Sequence, residues 1–365
     1  MHRTTASFVP PHCPRTRCPY HLNPAGWRWK HHGAYTRQAS PTVIPRFRCC
    51  HCGRTFSSQT FHTTYYLKRP ELQVPLLYRI DAGSGYRQMA REMRCSHSTL
   101  VHQAARLGRH ALLFMTTHRP KGRLEEPLVI DGFESFAYSQ YHPLHLNLGI
   151  GADTGFHYGF THSPLRRKGR MTSEQRVRRE AIETTHGRPD PKAIERGMAE
   201  TIRMSAPSPQ PLEIRSDEHP AYKRSFDRLH GYEVEHQETP STDPRTPGNP
   251  LFPANRRDMM LRHNGANHRR ETIAFSKRDQ GVVDRAAIHL MLANYFAPTS
   301  VNHDPATPAM KLGLFETPLA HEALLGKRYF VSRTALTAEW RRYYYSEVGT
   351  AEIANPRRHT LKLAA

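Results

Sequence analysis

The sequence predicts an α/β chain in which a cysteine-rich N-terminal unit and a pair of helices precede a body built on a mixed sheet. Three observations predict it. Five of the six cysteines fall within residues 13–60. Apolar residues then recur at helical spacing between about 70 and 116, first as Leu72, Leu76, Leu77 and Ile80 and later as Ala104, Leu107 and Ala111. From 127 onward short apolar stretches separated by turn residues take over: PLVIDGFESF, HLNLGIGAD and TGFHYGFTH, then LEIRSD and GYEVEHQ. A chain of 365 residues has room for two or three domains. The expected boundaries are 1–65, 66–120, 127–298 and a helical, basic region at 299–365.

Charge sorts these pieces. Lys and Arg outnumber Asp and Glu by 53 to 32, a formal net charge of +21, and residues 1–70 contain no Asp or Glu. A basic front end on a mixed-charge body reads as a nucleic-acid reader joined to something else, because each neutralised phosphate releases condensed counterions. No apolar run approaches the roughly 18 residues that would span a bilayer. The N-terminus lacks the apolar core of a signal peptide. The expected location is therefore the cytoplasm, in association with the nucleoid, where six cysteines do not form structural disulfides.

The cysteines are spaced as metal ligands. Four residues separate Cys13 from Cys18, and two separate Cys49 from Cys52. Two short loops, each offering two thiolates, suit one tetrahedral zinc ion held for structure, since no coordination position stays open to water. Gly53 follows the last cysteine, where a tight turn lets backbone amides point at sulfur. Cys50 lies too close to Cys49 to share the ion. His12, His21 and His51 are near enough to substitute as ligands but read as surface histidines in a basic arm, and Cys95 reads as a small core residue.

The stretch GSGYRQMAREMRCSHSTLVHQAARLG, residues 83–108, reads as a helix-turn-helix. Tyr86 to Met93 forms the first helix and Ser98 to Leu107 the second, with Leu100, Val101, Ala104 and Leu107 facing inward. Ser96 caps the second helix. His97, Ser98, Thr99, His102 and Gln103 then point toward a DNA major groove.

Further along, residues 165–203 are charged and helix-prone, an expected insertion, and SAPSPQP breaks the pattern as a linker. A helix is expected from Ala221 to Leu229. The segment at 239–253 is a loop because its prolines suit neither a helix interior nor a central strand. Helices are expected at about 255–272 and 281–296.

Asp131 follows the apolar run LVI, and Asp217 follows EIR, so each lies within or at the end of a strand. Strand-borne aspartates on neighbouring strands bring carboxylates to one sheet edge, the donor set that a pair of Mg²⁺ or Mn²⁺ ions needs for in-line phosphoryl transfer. A third ligand should come from the helix beginning ANRRDMMLR. There Asn255, Asp258 and Arg262 share a face at i, i+3, i+7 spacing. Asn255 offers a neutral amide oxygen, Asp258 a carboxylate, and Arg262 a hold on a DNA phosphate. Asp153 in GADTG reads as a hairpin turn residue, and Glu271 as part of a solvated helix face.

RFRCCHCGRTFSS, GYRQMAREMRCSHSTL, VIDGFESF, IGADTGF, IRSDEHPAY, RRDMMLR, RRETIAFSKR, HLMLANYF and TPAMKLGL occur in this order between Cys13 and Leu314. In these stretches the chain resembles the zinc-ribbon transposases of small bacterial insertion sequences, a branch of the Asp-Asp-Glu superfamily. The resemblance implies a ribonuclease H-like catalytic domain with its first catalytic aspartate at Asp131 and its second at Asp217. The family's third acidic residue precedes a basic residue by seven positions, and counting back from Arg262 reaches Asn255, a departure from glutamate. The resemblance further implies binding to double-stranded DNA at transposon ends and target, two-metal cleavage and strand transfer, and a homodimer or larger assembly on DNA. A DNA-binding regulator with a decayed catalytic domain is the non-enzymatic alternative, favoured by Asn255. A nuclease of the same fold is the third.

Overall fold

A computed structural model describes residues 8–355 and 358. The first seven residues and the end of the basic C-terminal tail lie outside the described residues. The N-terminal unit is a three-stranded antiparallel sheet in the order β1 (Trp29–Thr36), β2 (Val43–Cys49) and β3 (Thr55–Ser57). Phe47, Phe56 and Phe61 pack with the cysteines beneath it. Phe330, far along the chain, completes that small core.

Three helices follow: α1 (Gln73–Asp81), α2 (Tyr86–Glu92) and α3 (His97–His118). Ser96 caps α3 as expected, its Oγ accepting from the Ser98 amide at 3.3 Å. The third helix does not stop at Leu107. It continues for another three turns because Ala111, Leu112, Phe114 and Met115 extend its buried face. The inward set also differs in one place, since Val101 is exposed.

The body is a five-stranded sheet in the order β6-β5-β4-β7-β8. Its strands are β4 (Leu128–Phe136), β5 (Pro143–Gly151), β6 (His157–Pro164), β7 (Pro211–Asp217) and β8 (Glu233–Thr239). The first three run antiparallel as hairpins, and β7 and β8 join β4 in parallel. Parallel pairing needs a crossover. That crossover is α4 (Ser173–His186) and α5 (Ala193–Ser205) between β6 and β7, and α6 (Pro220–Phe226) between β7 and β8.

The charged stretch at 165–203 is therefore only half an excursion. Its second helix buries Met198, Ala199 and Ile202 on the sheet, and Gly149 and Gly159 admit it closely: a side chain at either would strike Ser205 or Met204. Two long helices complete the body, α7 (Phe252–Asn264) and α8 (Asp279–Tyr295). The first begins earlier than expected, since Pro253 falls in its first turn, where no intrahelical N–H is needed. It ends at Asn264, ahead of Gly265, so 265–272 is not helical. The short helices α9 (Pro308–Lys311), α10 (His321–Leu325) and α11 (Ala338–Tyr344) close the chain. Trp340 of α11 donates its indole N–H to the Phe160 carbonyl at 3.0 Å. From Leu72 to Val348 one apolar core runs through helices and sheet alike.

Candidate active site and metal centre

The thiol sulfurs of Cys13, Cys18, Cys49 and Cys52 lie within 4.8 Å of one another. Cys13 Sγ and Cys52 Sγ are 3.6 Å apart. The Trp27 indole donates to Cys49 Sγ at 3.2 Å and the Cys52 amide at 3.5 Å. Burial raises the Cys49 pKa, but these donors outweigh it and bring the thiol down to about 7. Gly53, at φ 70°, turns the chain after the knuckle. A set of four close sulfurs with amide donors aimed at one of them fits a tetrahedral, structural zinc ion. Cys50 is exposed and stands apart. His12 and His21 are not surface residues. Both are buried, and the two ring nitrogens of His21 sit 2.8 Å from the Cys13 carbonyl and 2.8 Å from Ser332 Oγ.

On α3, His97, Ser98 and His102 are exposed and Thr99 is half-buried. Gln103 is not available to a groove: it is buried and donates to the Arg69 carbonyl at 3.1 Å. Because α3 packs against the turn before α1, that position faces inward.

The acidic residues gather at the sheet. Leu128 of β4 pairs with Ile214 of β7, and Val129 with Arg215, and two residues beyond these pairs Asp131 and Asp217 lie near enough for the Asp217 charge to act on Asp131. Asp131 Oδ1 accepts from its neighbour's amide, Gly132 N, at 2.7 Å. The hydroxyl of Tyr222, on α6, lies 3.4 Å from the same oxygen. Burial foremost, with the Asp217 charge adding to it, raises the Asp131 pKa to about 6. Asp217 Oδ1 accepts from the His219 amide at 2.9 Å, which fixes the turn into α6.

On α7 it is Asp258 that engages this cluster. Burial and then the Asp131 charge push its pKa up to about 8, while Arg262 and Arg245 pull the other way. One of its oxygens is buried with no hydrogen-bond partner. Asn255, one turn earlier on the same helix, is half-buried. Arg262 lies over the Phe133 ring, 4.6 Å from its centre, and so is held on the β4 face that carries Asp131.

Several residues of this site were missed by sequence reasoning. Tyr222 lies within IRSDEHPAY, yet nothing local distinguishes it from a core tyrosine. His145, on β5, stands 3.4 Å from the Tyr222 hydroxyl and is kept neutral, its pKa lowered to about 4 by burial. Its other nitrogen is 2.8 Å from Asn147 Oδ1, and Asn147 donates to Thr161 and Ser163 at 2.8 and 2.9 Å. Arg245, in the proline-rich loop, contributes positive charge to both Asp131 and Asp258.

The raised pKa values of Asp131 and Asp258 and the orphaned buried oxygen of Asp258 are features that a bound cation would relieve. Hard divalent ions fit an all-oxygen donor set. Among the described residues, these carboxylates do not converge as tightly as the cysteines do.

No family model and no curated protein matches the chain. Among solved structures, the chain is similar to a chain from the cryoEM structure of a simian T-cell lymphotropic virus intasome in complex with the PP2A regulatory subunit B56 gamma. That similarity stands at 15% identity, covering 60% of this chain and 72% of that one, with a TM-score of 0.23. Overlap this low carries no argument about either molecule.

Proposed function

We propose that the chain is a DNA transposase whose five-stranded sheet is a ribonuclease H-like catalytic domain. The observation that carries this reading is the gathering of Asp131 and Asp217 on adjacent parallel strands, with Asp217 and Asp258 of α7 both coupled electrostatically to Asp131. The sheet order, three antiparallel strands followed by two parallel ones, supports it. The basic, acid-free front end supports a DNA partner.

In this reading Asp131, Asp217 and a third α7 residue hold two divalent ions, Mg²⁺ or Mn²⁺. Asp258 takes the third place in preference to Asn255, because one of its oxygens is buried without a partner and the Asp131 charge acts directly on it. When bound, such ions stabilise the attacking and leaving oxygens of an in-line phosphoryl transfer. Tyr222 keeps its proton and orients Asp131. Arg262, braced on Phe133, binds a phosphate of the DNA strand. His97, Ser98, Thr99 and His102 read the terminal repeats, and the four cysteines hold a structural zinc that stiffens the basic front end. The active form is a homodimer or larger assembly on double-stranded DNA.

The test is metal-dependent cleavage and joining of DNA taken from the flanks of the gene. Products from the wild type that vanish with Asp131→Asn support the reading. Tight binding with no products from the wild type favours the alternative, a DNA-binding regulator or inactive copy, for which Asn255 in place of the family's glutamate speaks.

A further inference from the structure

The loop between α7 and α8 carries a side chain that the proposed chemistry does not use. Ile273 is 99% exposed, the most exposed of the large apolar residues described. Single apolar residues on a surface are ordinary. This one differs in its mounting and its company.

The loop is fastened on both sides of it. Thr272 Oγ1 donates to the Ala266 carbonyl at 2.8 Å and accepts from the Ala274 amide at 2.9 Å. The Tyr138 amide donates to the Ser276 carbonyl at 2.8 Å, and the Phe275 ring lies 6.0 Å from that of Phe136. Earlier in the loop, His268 packs edge-on to Phe133 at 5.0 Å and lies 2.9 Å from Ser135 Oγ. The loop is thus fixed along the strand that carries Asp131. It also abuts the entry to the helix-turn-helix, where a side chain on Gly85 would touch Ala274. Glu271, two residues before Ile273, is held at φ 51°, a left-handed backbone that non-glycine residues adopt where surroundings impose it. Arg269, Arg270 and Lys277 are exposed on either side.

A fully exposed β-branched side chain, on a fastened loop flanked by cations, has the form of a wedge into duplex DNA. The cations meet phosphates on both strands, and the apolar group enters between base pairs, where it leaves water. We propose that Ile273 is such a wedge, unstacking one base step beside the acid cluster when the duplex lies on it. This rests on the DNA reading given above and goes beyond it, because it assigns distortion of the DNA to one residue outside the metal site.

The test uses the full-length chain and an element-end duplex carrying 2-aminopurine at successive positions, with Mg²⁺ omitted. Binding is followed by gel retardation and unstacking by fluorescence, each at saturating protein. The expected result is a several-fold rise in fluorescence at one position with the wild type, lost in Ile273→Ala and Ile273→Asp while both still bind. Val301→Ala, at another exposed loop residue, keeps the rise. Wild-type binding with no rise at any position, or a rise that survives both substitutions, overturns the wedge and leaves the DNA reading standing. No wild-type binding overturns both. A change in self-association with an unchanged fluorescence pattern overturns the wedge in favour of contact between copies of the chain.

Discussion

The hydroxyl of Tyr222 stands 3.4 Å from Asp131 Oδ1 and equally 3.4 Å from His145 Nε2, bridging a carboxylate to a neutral imidazole. Burial and the neighbouring carboxylates drive the tyrosine's pKa far upward, so it remains a donor at any working pH. Removal of that donor by Tyr222→Phe should leave the fold intact and loosen Asp131. The expected effect is a fall in the joining rate of about tenfold, the scale of one hydrogen bond to a charged group, with DNA affinity unchanged. An unchanged rate would reduce Tyr222 to a packing residue.

Asp131→Asn and Asp217→Asn should each abolish strand joining yet leave DNA retention intact, because both residues lie in the sheet and not on the exposed face of α3. Retained joining in either would move the chemistry elsewhere.

The four-cysteine unit should not come apart alone. Phe330 lies in its apolar cluster, Ser332 contacts His21, and the Arg328 amide donates to the Phe61 carbonyl at 2.9 Å. Chelation should therefore raise hydrogen exchange in residues 13–61 and in 326–334 together, while β4 to β6 stay protected. Protection retained at 13–61 in chelator would remove the structural zinc.

Asp284 offers a pH test away from the acid cluster. It is buried on α8 against Gly108 of α3, where a side chain would collide with its backbone. Burial raises its pKa from 3.8 to about 7, although Gln280 donates to it at 2.9 Å and Arg109 lies near. Below the unfolded pKa both states hold the proton and nothing is lost. As pH rises through 4 to 7 the unfolded chain ionises first, so native stability falls, by an amount on the order of 4 kcal/mol. Asp284→Asn should therefore be more stable than the wild type at pH 8 and no more stable at pH 4. Parallel melting curves for the two proteins across that range would refute it.

Much of this was legible in the amino-acid pattern, and the failures have physical causes. The apolar stretches LVIDGF and HLNLGI, cut off by turn residues, mark strands, and β5 is buried along almost its whole length. The two cysteine pairs mark a metal unit because the thiolate geometry is local. The inward turn of Gln103 was not legible: it depends on Arg69, 34 residues away. Nor was the role of α5, whose Met198 and Ile202 sit one turn apart inside a charged run. Asp258 and Asn255 share a helix face by spacing alone. Only the tertiary approach of β4 separates them, and the burial that raises the Asp258 pKa comes from the fold.

The most direct measurement is Mg²⁺- or Mn²⁺-dependent cleavage and joining of element-end DNA, with the wild type beside Asp131→Asn, Asp258→Asn and Asn255→Ala. The account predicts products from the wild type and from Asn255→Ala, and none from the two aspartate variants. Products that survive Asp258→Asn and vanish with Asn255→Ala would return the third ligand to Asn255. Products that survive Asp131→Asn would contradict the catalytic site itself.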